Sequence, residues 1–66
     1  MQIQVNGKAV DLPDNSTIID LLEQLGMTTG RLAVELNTEI VPRSQHASTA
    51  LKNGDCVEIV HAIGGG

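Results

Sequence analysis

The sequence predicts an α+β domain in which one main helix packs on one face of a mixed sheet of four to five strands. Three observations predict it: alternating apolar and polar residues near both ends, one intervening stretch with helical spacing, and Asn-Gly pairs where the chain must reverse. With 66 residues, the chain is a single domain, since folded domains typically need about 50 to 200 residues each. That domain spans residues 1–66, and residues 62–66 form an extended flexible C-terminal glycine tail.

Met1, Ile3 and Val5 alternate with Gln2 and Gln4, and the pattern resumes at Val10 and Leu12 after Asn6-Gly7. Asn-Gly tolerates the positive φ angles of a type I′ turn, so these two segments pair as a hairpin. Pro13-Asp14-Asn15 breaks the alternation. Ile18, Leu21, Leu22 and Leu25 then recur at i, i+3, i+4 and i+7, which puts them on one helical face. Ser16 or Thr17 caps the helix start, Asp20 favours the positive end of its dipole, and Gly26 stops it. Leu32, Val34 and Leu36 form a third strand, and Ile40-Val41 its short partner beyond Asn37-Thr38, closed by Pro42. Residues 43–51 have no clean period and read as turns or a short helical piece. Asn53-Gly54-Asp55 marks another turn, and Val57 and Ile59 alternate with Cys56, Glu58 and Val60 in a last strand. A right-handed crossover sets the first and last strands side by side, a β-grasp-like arrangement.

Composition excludes several functions. Four Lys and Arg against eight Asp and Glu, with no Phe, Tyr or Trp, argue against nucleic acid, which needs clustered cations and aromatic platforms. A single cysteine forms no internal disulfide, which fits a reducing cytoplasm. No apolar run approaches the ~20 residues of a membrane span, and the N-terminus has neither the basic nor the apolar region of a secretory signal.

The last three residues are Gly64, Gly65 and Gly66. Ordering glycine costs more chain entropy than ordering any other residue, so such a tail gains the fold nothing. An extended glycine segment does pass through a channel too narrow for side chains and leaves its carboxyl carbon open to attack. Residues 62–66 would reach about 16 Å beyond the last strand at ~3.3 Å each. A carboxylate becomes an acyl donor only after activation by a nucleotide, and this chain has no phosphate-binding loop of its own. The chemistry therefore belongs to partners, and the domain is the handle.

On these residues the chain resembles the ubiquitin-like sulfur carriers, most closely those of thiamine biosynthesis. The likeness runs from Met1-Gln2-Ile3 and Asn6-Gly7, through Ser16-Thr17-Ile18 to Leu22 and Asn37 to Val41-Pro42-Arg43, to Asn53-Gly54-Asp55 and the glycine end. It implies a β-grasp fold, and activation of Gly66 as an acyl-adenylate by a ThiF-type adenylyltransferase using ATP. It further implies conversion to a thiocarboxylate with sulfur from a donor such as a cysteine desulfurase, and delivery to thiazole synthase. Gly64 and Gly65 would line the entry path. The carrier would be a monomer when free, bind no cofactor itself, and be a cosubstrate rather than an enzyme. Alternatives with the same end chemistry are the small subunit of molybdopterin synthase and a ubiquitin-like protein modifier; a passive interaction module would not need the tail.

The remaining chemistry-bearing residues carry less. Cys56 has no cation beside it in sequence to favour a thiolate and reads as a strand position. His46 and His61 lack metal-ligand spacing, so no metal is expected. Arg43 reads as a solvated surface cation. Alternation turns Val60 toward the uncovered sheet face, so Val60 and Ile63 are read either as a docking surface or as incidental exposure. Glu35, Glu39, Asp55 and Glu58 either steer the domain toward basic partners or serve solubility.

Overall fold

The computed structural model describes residues 1–28 and 30–61. Strand β1, Gln2–Val5, turns through Asn6-Gly7 into β2, Lys8–Asp11. Both turn residues have positive φ, 50° and 83°, as a type I′ turn requires, and the strands pair antiparallel from Gln2↔Asp11 to Val5↔Lys8. Helix α1 spans Ile18–Gln24. Strands β3, Leu32–Leu36, and β4, Glu39–Val41, form a second hairpin across Asn37-Thr38, followed by a 3₁₀ turn at Arg43–Gln45 and by β5, Cys56–His61. The sheet order is β2-β1-β5-β3-β4, with β5 parallel to β1 and antiparallel to β3. The first and last strands lie side by side as the pattern predicted.

Helix α1 is short, and side chains and loops define both of its ends. Thr17 is the N-cap: its hydroxyl accepts from Asp20 N, while the Asp20 carboxylate accepts from Thr17 N at 2.9 Å, a complete capping box. The other first-turn donors are met by Ile18 N to Thr49 O, Ile19 N to His46 O and Leu21 N to Thr17 O, so no free N–H remains there. Ser16 turns back instead, donating its hydroxyl to Pro13 O at 2.7 Å. At the other end Gly26, at φ +71°, gives a Schellman motif: Met27 N reaches Leu22 O at 2.8 Å and Gly26 N reaches Glu23 O at 3.1 Å. This early stop leaves Leu25, expected on the buried face, 37% exposed.

The core is aliphatic throughout. Ile3, Val5, Leu12, Ile18, Leu21, Leu22, Val34, Leu51, Val57 and Ile59 form one buried cluster between the helix and one sheet face. Each fully buried side chain of this kind stabilises the fold by about 1.5–3 kcal/mol before chain entropy is counted. Among the described residues no helix covers the sheet's other face, and none is long and apolar enough to cross a membrane.

Candidate functional site

The strand that precedes the glycines in sequence is β5, the centre of the sheet. Its first half is held on both sides: β1 pairs with it at Gln4↔Cys56 and Val5↔Val57, and β3 at Leu36↔Val57 and Glu35↔Glu58. Beyond Val5 the first strand turns away, and a side chain takes its place. Asn6 Oδ1 accepts from Ile59 N at 2.8 Å and Asn6 Nδ2 donates to Ile59 O at 3.1 Å, while Asn6 N donates to Val57 O. The asparagine amide thus imitates one more peptide of β1. After Ile59 only β3 pairs with the strand, at Ala33↔Val60 and Leu32↔His61. The strand is held on both sides as far as Ile59, and Val60 and His61 are held by β3 alone.

Two further asparagines tie the ends of the turns. Asn37 Oδ1 accepts from Cys56 N and Asn37 Nδ2 donates to Asp55 Oδ1, while Asn53 Oδ1 accepts from Gln2 N. Asp55 was expected as a possible steering charge, and the structure corrects this. Its side chain is 7% exposed and accepts from Lys52 N at 2.7 Å as well as from Asn37. A carboxylate that closes its own turn in this way shapes the start of β5 and offers no surface charge. The Asn-Gly-Asp run itself contained that signal.

Of the residues expected on a docking surface, Val60 lies where alternation put it: on the uncovered face, 57% exposed. Its neighbours follow from the register. Ala33 stands opposite Val60, Glu35 opposite Glu58 in the next row on the same face, and Ile40, 64% exposed, on the far side of Glu35. The uncovered face therefore presents apolar groups on either side of a like-charged cross-strand pair. Such a pair costs the free domain stability, and a partner's cation set between the carboxylates would relieve it. Ile63, Gly64, Gly65 and Gly66 lie outside the described residues.

Cys56 is a free, exposed thiol on the same face, next to Gln4. Among the described residues no cluster of His, Cys, Asp or Glu has the arrangement of a metal site. His46, given no role by its sequence context, is buried, with Nε2 3.0 Å from Val41 O. Together with the exposed Arg43 it borders an apolar cleft of about 170 Å³ between the end of α1 and β3.

Comparison with known proteins places this geometry. The ThiS family model matches residues 3–66. The sulfur carrier protein ThiS of Escherichia coli is 36% identical over 66 residues, covering all of both chains. A thiazole synthase of Paramagnetospirillum magneticum is 42% identical over 66 residues, but the chain spans only 20% of that protein's length. Among solved structures, the crystal structure of a thiamine biosynthesis protein (ThiS) from Geobacter metallireducens superposes with a TM-score of 0.87 at 33% identity, covering all of both chains.

Proposed function

We propose a mechanism on one premise, that this chain belongs to the ThiS family: the carboxyl carbon of Gly66 is the reactive centre, and everything else in the molecule presents it. The chain is a sulfur carrier of thiamine biosynthesis with a β-grasp fold. The supporting observation is the match to a sulfur carrier along the whole of both chains. It favours the thiamine pathway over the molybdopterin-synthase and protein-modifier alternatives.

In this reading an adenylyltransferase of the ThiF type binds ATP, and the Gly66 carboxylate attacks its α-phosphorus, releasing pyrophosphate. A cysteine-derived persulfide, supplied through a desulfurase, displaces AMP to give an acyl disulfide, and a thiol reductant then cleaves the S–S bond, leaving the thiocarboxylate on Gly66 and carrying the second sulfur away in a disulfide. Thiazole synthase takes that sulfur. A ThiS-like segment within a thiazole synthase polypeptide supports that pairing. The chain acts as a cosubstrate in the cytoplasm, with no cofactor of its own.

The structure's part in this mechanism is mechanical. Gly64 and Gly65, without Cβ atoms, fit a narrow channel, while Asn6 and β3 hold β5 so that the tail leaves from a fixed point. Val60 and Ile40 supply apolar contact, and Glu35 and Glu58 select a basic partner surface. Ordering the tail costs about 1–2 kcal/mol per residue, which keeps each complex short-lived and suits a carrier that must leave one enzyme for the next.

Intact mass spectrometry of the protein from cells grown without thiamine tests the reading. The expected result is a population with one oxygen replaced by sulfur, absent when Gly65 and Gly66 are deleted although the shortened chain still folds. Full thiamine-independent growth with the shortened chain would overturn it.

A further inference from the structure

Two Asn-Gly pairs, Asn6-Gly7 and Asn53-Gly54, stand at turns of the chain. Such pairs carry their own chemistry: the peptide nitrogen after an asparagine can attack the side-chain amide carbon, and glycine, having no side chain, hinders that attack least. The other asparagines, Asn15 and Asn37, precede Ser16 and Thr38, whose side chains crowd the nitrogen. The sequence therefore marks two equivalent sites, and the fold makes them unequal.

At Asn6 the carbon to be attacked is held by both of its substituents. Oδ1 accepts from Ile59 N at 2.8 Å, and Nδ2 donates to Ile59 O at 3.1 Å. Ile59 is buried in the central strand, so freeing this amide means opening the middle of the sheet, among the costliest local openings of a fold. Gly7 N has no backbone acceptor among the described residues, yet the carbon it would attack stays fixed.

At Asn53 both restraints belong to one exposed residue. Gln2 N donates to Asn53 Oδ1 at 2.8 Å, and Gly54 N, the attacking nitrogen, donates to Gln2 O at 2.8 Å. The pairing of β1 with β5 begins only at Gln4↔Cys56, so no strand on that side backs the Gln2 peptide. One local swing of Gln2 away from the turn frees the amide and the nucleophile together, without opening the core.

We propose that Asn53 is a site of spontaneous deamidation, with water as co-reactant and Gln2 as its gate, and that the fold spares Asn6. Gly54 N gives its proton to solvent and bonds to Asn53 Cγ. The Cγ–Nδ2 bond breaks, and Nδ2 leaves as ammonia with a proton returned by solvent, so a five-membered succinimide remains. Water then adds to one of the two ring carbonyls and breaks that carbonyl's bond to Gly54 N. Opening at the backbone carbonyl gives isoaspartate, and opening at Cγ gives aspartate. In sum an amide and water become a carboxylate and ammonium, and nothing is oxidised or reduced. Isoaspartate puts one more carbon into the backbone between Lys52 and Asp55. That turn is closed by Lys52 N on the Asp55 carboxylate at 2.7 Å, so conversion at residue 53 loosens the start of β5.

Peptide mapping by mass spectrometry, on the full chain aged in mildly alkaline buffer, tests this. The peptide containing Asn53 is expected to gain the mass of an amide-to-acid exchange and to contain isoaspartate, while the Asn6 peptide stays unchanged. Denaturing urea should bring the two rates together, since both sites are then plain Asn-Gly. In the aged chain the Lys52 amide should lose exchange protection. Gln2→Pro deletes the N–H that restrains Asn53 Oδ1, and one net hydrogen bond shifts an opening equilibrium by about two- to tenfold, so Asn53 should convert faster by that factor with Asn6 still spared. Conversion at Asn6 that matches or precedes conversion at Asn53 in the folded parent, or conversion at neither site, would overturn the proposal. An Asn53 rate unchanged by Gln2→Pro would remove Gln2 as the gate.

Discussion

Replacing Asn6 isolates the device that holds β5 where β1 has ended. Its amide makes two hydrogen bonds to the Ile59 peptide, at 2.8 and 3.1 Å, and its backbone sits at φ 50°. Each hydrogen bond is worth about 0.5–1.5 kcal/mol net, so Asn6→Gly, which keeps the left-handed backbone accessible, is expected to cost about 1–3 kcal/mol. Asn6→Ala removes the same bonds and adds roughly 1–2 kcal/mol for a Cβ in the left-handed region, giving about 2–5 kcal/mol. At ~4–8 °C per kcal/mol for a domain of this size, even the glycine variant should melt visibly lower. Because the chain has no Trp or Tyr, urea unfolding must be followed by far-ultraviolet circular dichroism. Amide exchange supplies the local readout: the Ile59 N–H should lose protection in both variants by more than the global change explains. A glycine variant within ~0.3 kcal/mol of the parent, with the Ile59 amide still protected, would refute the view that this side chain acts as a surrogate strand.

Two other expectations follow from the same region. Asp55→Ala leaves Lys52 N–H and Asn37 Nδ2 without their acceptor at a buried turn, so urea titration should show a loss of about 2–4 kcal/mol. Asp55→Asn, which retains one acceptor oxygen, should lose roughly half as much, and equal losses would contradict the hydrogen-bond account. Val60→Asp adds a carboxylate to the uncovered face beside Glu58, at an exposed position, so stability should change by less than ~1 kcal/mol. With the adenylyltransferase that the proposed function calls for, the KM for the chain as substrate should rise at least about tenfold with kcat nearly constant, as expected when binding shared by ground and transition states is lost. An unchanged KM would remove Val60 from the docking surface.

Features of this protein were legible in the sequence when their cause is local. Asn6-Gly7 and Asn53-Gly54 mark turns because positive φ is a property of the residue itself, and Thr17 with Asp20 caps the helix within a single turn. The placement of Val60 on the uncovered face needed only alternation within one strand. What was not legible depends on residues far apart in the chain. The Asn6 amide meets Ile59 across 53 positions, and nothing near either residue announces the meeting. The juxtaposition of Glu35 and Glu58 follows from an antiparallel register set by the core contacts of Val34 and Ile59. Asp55 was misread although half of its signal is local: Lys52 N, three residues before it, donates to the carboxylate, while Asn37 lies 18 positions away. The helix stop at Gly26 was legible, but the apolar face was carried to Leu25 because spacing alone does not show that the C-cap residue lies at the edge of the core.

The parallel pairing of β1 with β5 also acts as a proofreading step in manufacture. Gln4 waits for Cys56, so a nascent chain or a truncated product lacking the final strand has no partner for its opening segment and no central member for its sheet. Such fragments remain open to proteases. Molecules that fold have therefore been synthesised at least through the strand that leads to the glycines, and chains stopped before it are removed by turnover.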